Sequence, residues 1–249
     1  MSEKISVRGM VLSSGAVGEY DRRLVILTTD RGKITAFARG VKRPGNALMA
    51  ACSPFVFADF MLFQGRDAYT VASASVINYF EQLRDNMRAT CYGCYFLEFA
   101  AYYGRENADD LQMLGLLYQT VRALCKGTID YRLIRVIYEL KLMAINVEYP
   151  DVFECGKCRR QEGLSIFSVP GRKIYCSDCG SSAGWGSFKL SEAAVYTMQY
   201  IVATPVEKLY TFTVSEEVLA SLITLMTHYR RSCVDRTFKS LEILEVMED

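Results

Sequence analysis

The chain has 249 residues, of which 51% are hydrophobic and 23% charged, with a formal net charge of +1. This is an ordinary soluble globular balance with enough apolar side chains for a sizeable core. It excludes a spanning helix, which needs roughly eighteen apolar residues, because the richest run, Tyr95 to Tyr103, is short and contains Glu98; the N-terminus MSEKISVRGM has no apolar signal core, so a cytoplasmic protein is expected.

The first eighty residues read as strands. Val7 to Ser13, Leu24 to Thr29, Lys33 to Arg39, Phe55 to Phe63 and Ala68 to Val76 are β-branched or alternating, with turn signals at Gly15 to Gly18, Asp30-Arg31-Gly32 and Gln64-Gly65-Arg66 and a longer loop from Gly40 to Pro54. Five short strands with tight turns predict a small barrel, and the OB-fold is the common five-stranded solution. Residues 1–80 carry 10 Lys/Arg against 6 Asp/Glu, whereas residues 187–249 carry 6 against 9. The N-terminal third is therefore the candidate for binding a polyanion. In the third strand Ile34, Ala36 and Ala38 share one face, and Lys33, Thr35, Phe37 and Arg39 the other. Lys42 and Arg43 follow in the loop, and Arg22-Arg23 open the preceding strand. Cations beside a ring can hold a single strand, with bases stacked and phosphates neutralised. The same residues also suit an acidic protein partner, a solvated edge, or a Phe37 packed on the helical part.

From residue 81 the apolar spacing becomes helical, over Glu81 to Arg88, Cys91 to Tyr103, Asp109 to Cys125 and Tyr131 to Val147. Asp109 and Asp110 mark a helix start, Gly127 a helix end, and Pro150 follows the fourth run. Cys91-Tyr-Gly-Cys94 reads as buried helix cysteines acting as small hydrophobes, with a thiol redox pair as the alternative. Helical spacing returns over Leu190 to Val202, Val218 to Tyr229 and Phe238 to Met247. Arg230-Arg231, Arg236 and Lys239 at helix ends are expected to cap and solubilise. The expected organisation is α+β: a barrel over 1–80, then a helical domain over 81–249 interrupted by an insertion at 151–186.

That insertion holds the strongest chemical signal, Cys155-Gly-Lys-Cys158, seventeen residues, then Cys176-Ser-Asp-Cys179. C-x2-C-x17-C-x2-C is tetrahedral metal-site spacing, because two intervening residues let one tight turn aim both sulfurs at one ion. A hairpin of Ser165 to Val169 and Arg172 to Tyr175 would bring the two pairs together, with Gly156 and Gly180 supplying permissive backbone. Lys157, Arg159, Arg160, Arg172 and Lys173 would offset the thiolate charge. Four cysteine ligands leave no position for water, so one structural Zn2+ is expected, ahead of a dithiol pair or an iron–sulfur cluster. With this spacing and no signal peptide, the nine cysteines are expected to be reduced; Cys52, Cys125 and Cys233 carry no signal.

His228 is the single histidine, and neither G-x-x-x-x-G-K-[ST] nor G-x-G-x-x-G occurs. No catalytic residue is assigned, and no enzyme is expected.

Taken in order, these residues resemble the bacterial recombination mediator family RecO. The likeness lies in Gly9-Met-Val-Leu12, Gly18-Glu-Tyr-Asp21, Asp30-Arg-Gly-Lys33, Ala38-Arg-Gly-Val-Lys-Arg-Pro44, Ser53-Pro-Phe55, the cysteine quartet, His228-Tyr-Arg230 and Lys239-Ser-Leu241. The resemblance implies an OB-fold, a helical domain and a zinc-ribbon-like insertion. It also implies binding of single- and double-stranded DNA, annealing of complementary strands, contacts with RecR and the C-terminal tail of SSB, and help in loading RecA on SSB-coated DNA. Carried over by position, it assigns phosphate contacts to Lys33, Arg39, Lys42 and Arg43, with Arg22 and Arg23 beside them. It implies a bacterial, cytoplasmic protein that joins the nucleoid during repair. A zinc-stabilised protein–protein scaffold with only incidental DNA binding is the alternative.

Overall fold

The alternation in the first eighty residues closes into a barrel of strand order β1-β2-β3-β5-β4. The computed structural model describes residues 3–66, 68–146 and 148–248, so the predicted helix end at Val147 lies outside the described residues. The strands are β1 (Lys4–Val17), β2 (Asp21–Thr28), β3 (Lys33–Ala38), β4 (Phe57–Gln64) and β5 (Tyr69–Asn78). Inward residues such as Val7, Leu24, Ile26, Ile34, Ala36 and Phe60 form the core. β1 is longer than predicted because it serves two partners. It pairs with β4 from Lys4 to Met10 and with β2 from Gly9 to Val17, with a register shift between Val11 and Ser13 that bends it from one to the other. The predicted start of the fourth strand at Phe55 moves to Phe57. Phe55 takes φ 71° and lays its ring over Gly93, where a Cβ would lie 2.7 Å from the ring. The loop after β3 contains one short helix, α1 (Leu48–Ala51).

Two compact units divide the chain: residues up to Cys125 together with those from Phe238 onward, and Lys126–Thr237. The change of element type near residue 80 is thus not where compact packing divides. In the first unit α2 (Met87–Tyr103), α3 (Leu111–Lys126) and α7 (Lys239–Glu248) join the barrel. The predicted helix from Glu81 is only a single 3-10 turn, Glu81–Leu83. Asn86 then starts α2 as an N-cap, its Oδ1 accepting from the Ala89 N–H at 2.9 Å. Phe238 is buried against Tyr95, Phe99 and Tyr102, with ring centroids 5.4–5.9 Å apart, and the Ser240 hydroxyl donates to Glu98 at 2.5 Å.

The α2–α3 loop clamps the β2–β3 turn. The Lys33 N–H donates to the Arg105 carbonyl at 2.9 Å and the Asn107 N–H to the Arg31 carbonyl at 3.0 Å. Gly32 sits at φ 63°, and a Cβ there would lie 1.9 Å from the Arg105 oxygen. Gly32→Ala therefore combines a left-handed backbone with a steric collision and is expected to cost about 2 kcal/mol or more. The midpoint of urea unfolding measures it, and an unchanged midpoint rules the clamp out as a stabilising contact.

The second unit comprises α4 (Tyr131–Ile145), a three-stranded sheet, α5 (Glu192–Ala203) and α6 (Glu216–Cys233). The sheet has the order β7-β6-β8, with β6 at Leu164–Ser168, β7 at Lys173–Cys176 and β8 at Ser187–Lys189. Arg230, expected at a solvated helix end, is instead buried: its Nε lies 3.7 Å from Glu139, which also accepts from Arg135 Nε at 2.9 Å. The turn of α6 carrying Arg230 packs against α4, so a carboxylate on that helix and not the α6 dipole decides its place. Among the described residues no helix is long and apolar enough to cross a membrane.

Candidate metal centre and nucleic-acid interface

The four sulfurs of Cys155, Cys158, Cys176 and Cys179 all lie within 4.8 Å of one another. Cys155 ends a segment laid along β7, where the Gly156 N–H donates to the Ile174 carbonyl at 2.8 Å. The first turn closes with the Arg159 N–H donating to the Cys155 carbonyl at 3.0 Å. β6 and β7 form the predicted hairpin, with Leu164 opposite Cys176. The second pair leaves the end of β7 in a 3-10 turn, Ser177–Ser182. The glycines act differently from expectation. Neither Gly156 nor Gly180 has a positive φ, and the left-handed position is Arg159 at 65°. What they supply is space, since a Cβ would lie 2.3 Å from Ile166 at Gly180 and 3.2 Å from Tyr175 at Gly156.

The donor set fits one ion. A tetrahedral site with metal–sulfur bonds of about 2.3 Å has sulfurs about 3.8 Å apart, and Cys158 and Cys176 are 3.8 Å apart. A cluster of several irons would hold its ligands farther apart. Burial opposes ionisation of Cys155, but the backbone N–H groups of Cys158, Cys176 and Lys157 outweigh it and bring the thiol down to about 6. Cys179 is pushed up to about 12, by desolvation and then by the neighbouring sulfurs of Cys176, Cys158 and Cys155. Four thiolates cannot crowd together unaided, and a divalent cation removes that obstacle. Of the expected counter-cations, Arg159 pairs with Glu154 and Arg160 with Asp178 at 2.8 Å. None of the nine cysteines forms a disulfide.

The Cys91–Cys94 pair is not the buried pair expected, since Cys91 is half-buried and Cys94 exposed. Between them Gly93 leaves room for the Phe55 ring. Desolvation, and then the proximity of Cys91 and Glu98, raises the Cys94 thiol, opposite to what a reactive thiol needs. His228 lies against Phe188, with centroids 4.9 Å apart.

On the barrel, register sorts the basic residues. Arg23 is the partner of Phe37, and Arg22 the partner of the inward Ala38. The two arginines therefore face opposite sides; Arg22 donates to the Ser14 hydroxyl at 3.0 Å, while Arg23 stays exposed and reaches Thr35 at 3.3 Å. Lys33 lies on the outer face, but its ammonium donates to the Ala101 carbonyl at 2.6 Å, near the end of α2. Phe37 is half-buried and Arg39 exposed. The loop beyond is pinned to the β1–β2 turn. The Gly40 N–H donates to Asp21 at 2.7 Å and the Lys42 N–H to the Tyr20 carbonyl at 3.0 Å. Arg43 lies over the Tyr20 ring at 5.4 Å. The structure thus gathers Arg39, Lys42 and Arg43 on one anchored loop at the end of the strand that carries Phe37. Tyr20 was missed; the Gly-Glu-Tyr-Asp turn was its only signal. The strand 2–3 face and adjoining loops are where OB-folds take oligonucleotides.

Comparison with known proteins agrees along the whole length. A family model described as "Recombination protein O N terminal" matches residues 1–80, and one described as "Recombination protein O C terminal" matches residues 84–242. The chain is 32% identical to the DNA repair protein RecO of Alkaliphilus metalliredigens over 241 residues, covering 96% of this chain and 98% of that protein. It is 28% identical to the DNA repair protein RecO of Acetivibrio thermocellus over 245 residues, 98% of this chain and 97% of the other. With that of Bacillus pumilus it shares 25% over 244 residues, 98% and 94% of the two chains.

Proposed function

The chain belongs to the recombination protein O family, non-enzymatic mediators in DNA repair and recombination, and from that premise we propose that it binds single- and double-stranded DNA and anneals complementary strands. In this reading it works with RecR, meets the C-terminal tail of SSB, and helps RecA load on SSB-coated DNA in the cytoplasm. The observation that carries it is the outer barrel face, with Arg23 beside Phe37 and the anchored Arg39–Arg43 loop over Tyr20. Arg23, Arg39, Lys42 and Arg43 meet phosphates, and Phe37 and Tyr20 offer rings to unstacked bases. Arg22 and Lys33 add positive potential while their hydrogen bonds hold Ser14 and α2. Residues 1–80 are the DNA-binding domain, and residues 81–249 form the helical domain that meets the SSB tail, interrupted by the metal insertion at 151–186. The ion is Zn2+, which four thiolates suit and which leaves no open position for catalysis.

Annealing follows from neutralising two like-charged strands on one surface. The test is pairing of complementary fluorescent strands, each coated with SSB, with and without the protein. Acceleration supports mediation, because generic cationic binding does not overcome that coat; no acceleration overturns it. Lys42→Glu with Arg43→Glu is expected to weaken single-strand binding at least tenfold at moderate salt. It should also flatten the log–log salt slope by about 0.7 for each phosphate that is no longer neutralised. Unchanged affinity at low salt removes the loop from the interface.

A further inference from the structure

The sole tryptophan of the chain, Trp185, is 93% exposed at the tip of the metal-bearing sheet. A side chain of this size is rarely left wholly in water, and such rings concentrate where something binds. Its loop is built to hold it there. Gly184 and Gly186 on either side have φ of 73° and 75°, and three hydrogen bonds tie the loop to its own sheet. The Ser168 hydroxyl donates to the Ala183 carbonyl at 2.8 Å, the Ser187 hydroxyl to the Gly184 carbonyl at 2.9 Å, and the Val169 N–H to the Gly186 carbonyl at 3.2 Å. A Cβ on Gly186 would also press on Pro170 at 3.3 Å. The ring is displayed on an ordered support.

The sheet behind the ring has two unlike faces. Phe167, Ile174 and Phe188 share one row of the register and turn to the helices, with Phe167 against Tyr229 at 5.6 Å and Phe188 against His228. The opposite face carries Lys173 opposite Ser168 and Lys189 opposite Ile166. Both lysines are exposed. Among the described residues neither forms an ion pair; the acidic Glu154 and Asp178 are taken by Arg159 and Arg160. An exposed ring beside two exposed lysines, one of them the bridge partner of Asp151, matches a stacked base with its phosphates.

We propose that the metal-bearing sheet is a second single-strand contact, in which Trp185 stacks on an unpaired base while Lys173 and Lys189 meet phosphates. This rests on the DNA-binding reading of the protein but not on the barrel residues, since the contact is complete within the sheet. It gives the metal a task beyond stability: holding the platform that displays the ring.

Because the chain has one tryptophan, its emission reports this site with no label. Full-length, zinc-loaded protein is titrated with a thymidine homopolymer, following tryptophan emission together with anisotropy of a dye on the DNA. Binding should quench the emission, shield the ring from acrylamide, and reverse with salt. Trp185→Ala should weaken binding about 5- to 150-fold, as loss of one stacked base does, whereas Trp185→Phe should recover most of the affinity. Since the ring is exposed, neither substitution threatens folding, and zinc content with thermal midpoint confirms it. Normal anisotropy binding with unaltered emission and an unaffected Trp185→Ala variant overturns the inference while leaving the barrel reading standing. Absence of DNA binding in the unaltered protein overturns both.

Discussion

Removing the metal with a strong chelator is expected to unfold the β6–β8 sheet while the barrel keeps its protection. The strands are short, at 5, 4 and 3 residues, and a sheet of that size is marginal without a cross-link. Its buried apolar set is small, chiefly Val152, Leu164, Phe167, Val169 and Ile174, and Cys155 and Cys176 are themselves buried in it. Loss of the ion leaves four crowded sulfurs with no shared counter-charge, and the segment carrying them opens. Apparent metal-binding energies of about 10–16 kcal/mol in zinc-finger peptides set the scale. Hydrogen exchange resolves the effect: amides of β6, β7 and β8 should lose protection first, those of α6 near Tyr229 and His228 next, and those of β1–β5 last. Cys176→Ser should reproduce the pattern without chelator. Equal protection of the sheet before and after removal would falsify the structural role.

The second large effect is expected at Glu139. Its carboxylate is 1% exposed, accepts from Arg135 Nε at 2.9 Å and faces Arg230 Nε at 3.7 Å, with both arginines buried as well. Glu139 thus meets one cation from its own helix, α4, and one from α6. Glu139→Ala removes the carboxylate that both guanidinium groups meet in a poorly solvated place and should cost about 3–5 kcal/mol, seen as a lower denaturant midpoint at unchanged slope. The companion triple substitution Arg135→Met, Glu139→Leu and Arg230→Met removes these three charges together and should restore most of the stability. If the triple variant is no more stable than Glu139→Ala, the loss came from packing and not from stranded charge.

How far the sequence could be read depended on the range of the interaction behind each feature. Alternation places Ile34, Ala36 and Ala38 inward and Lys33, Thr35 and Phe37 outward without any knowledge of the partner strand. The C-x2-C pairs likewise specify their own geometry, and the quartet was legible in full. What stayed hidden was set by partners distant in sequence. Arg22 and Arg23 looked alike until register put them on opposite faces. Lys33 looked like a free cation until the end of α2 supplied an acceptor. Phe55 continues the strand pattern, yet the space over Gly93, which lies on α2, takes its ring. Arg230 shows the same limit, because its local helix-end position is overruled by a carboxylate on another helix. Gly156 and Gly180 were expected to relieve the backbone, but the constraint came from side chains across the hairpin.

The return of α7 to the barrel-bearing unit has a consequence for the order in which the molecule can be made. That unit is discontinuous: it needs Phe238 against the rings of α2, and a separate unit occupies the interval from Lys126 to Thr237. Domains generally fold as they emerge during synthesis, the N-terminal one first. Here the barrel unit, although begun before the inserted one, lacks its closing helix until Lys239–Glu248 has been made, so the inserted unit can be finished before it. During that wait the aromatic face of α2 formed by Tyr95, Phe99 and Tyr102 has no Phe238 to cover it. The first unit to be started is the last to become whole.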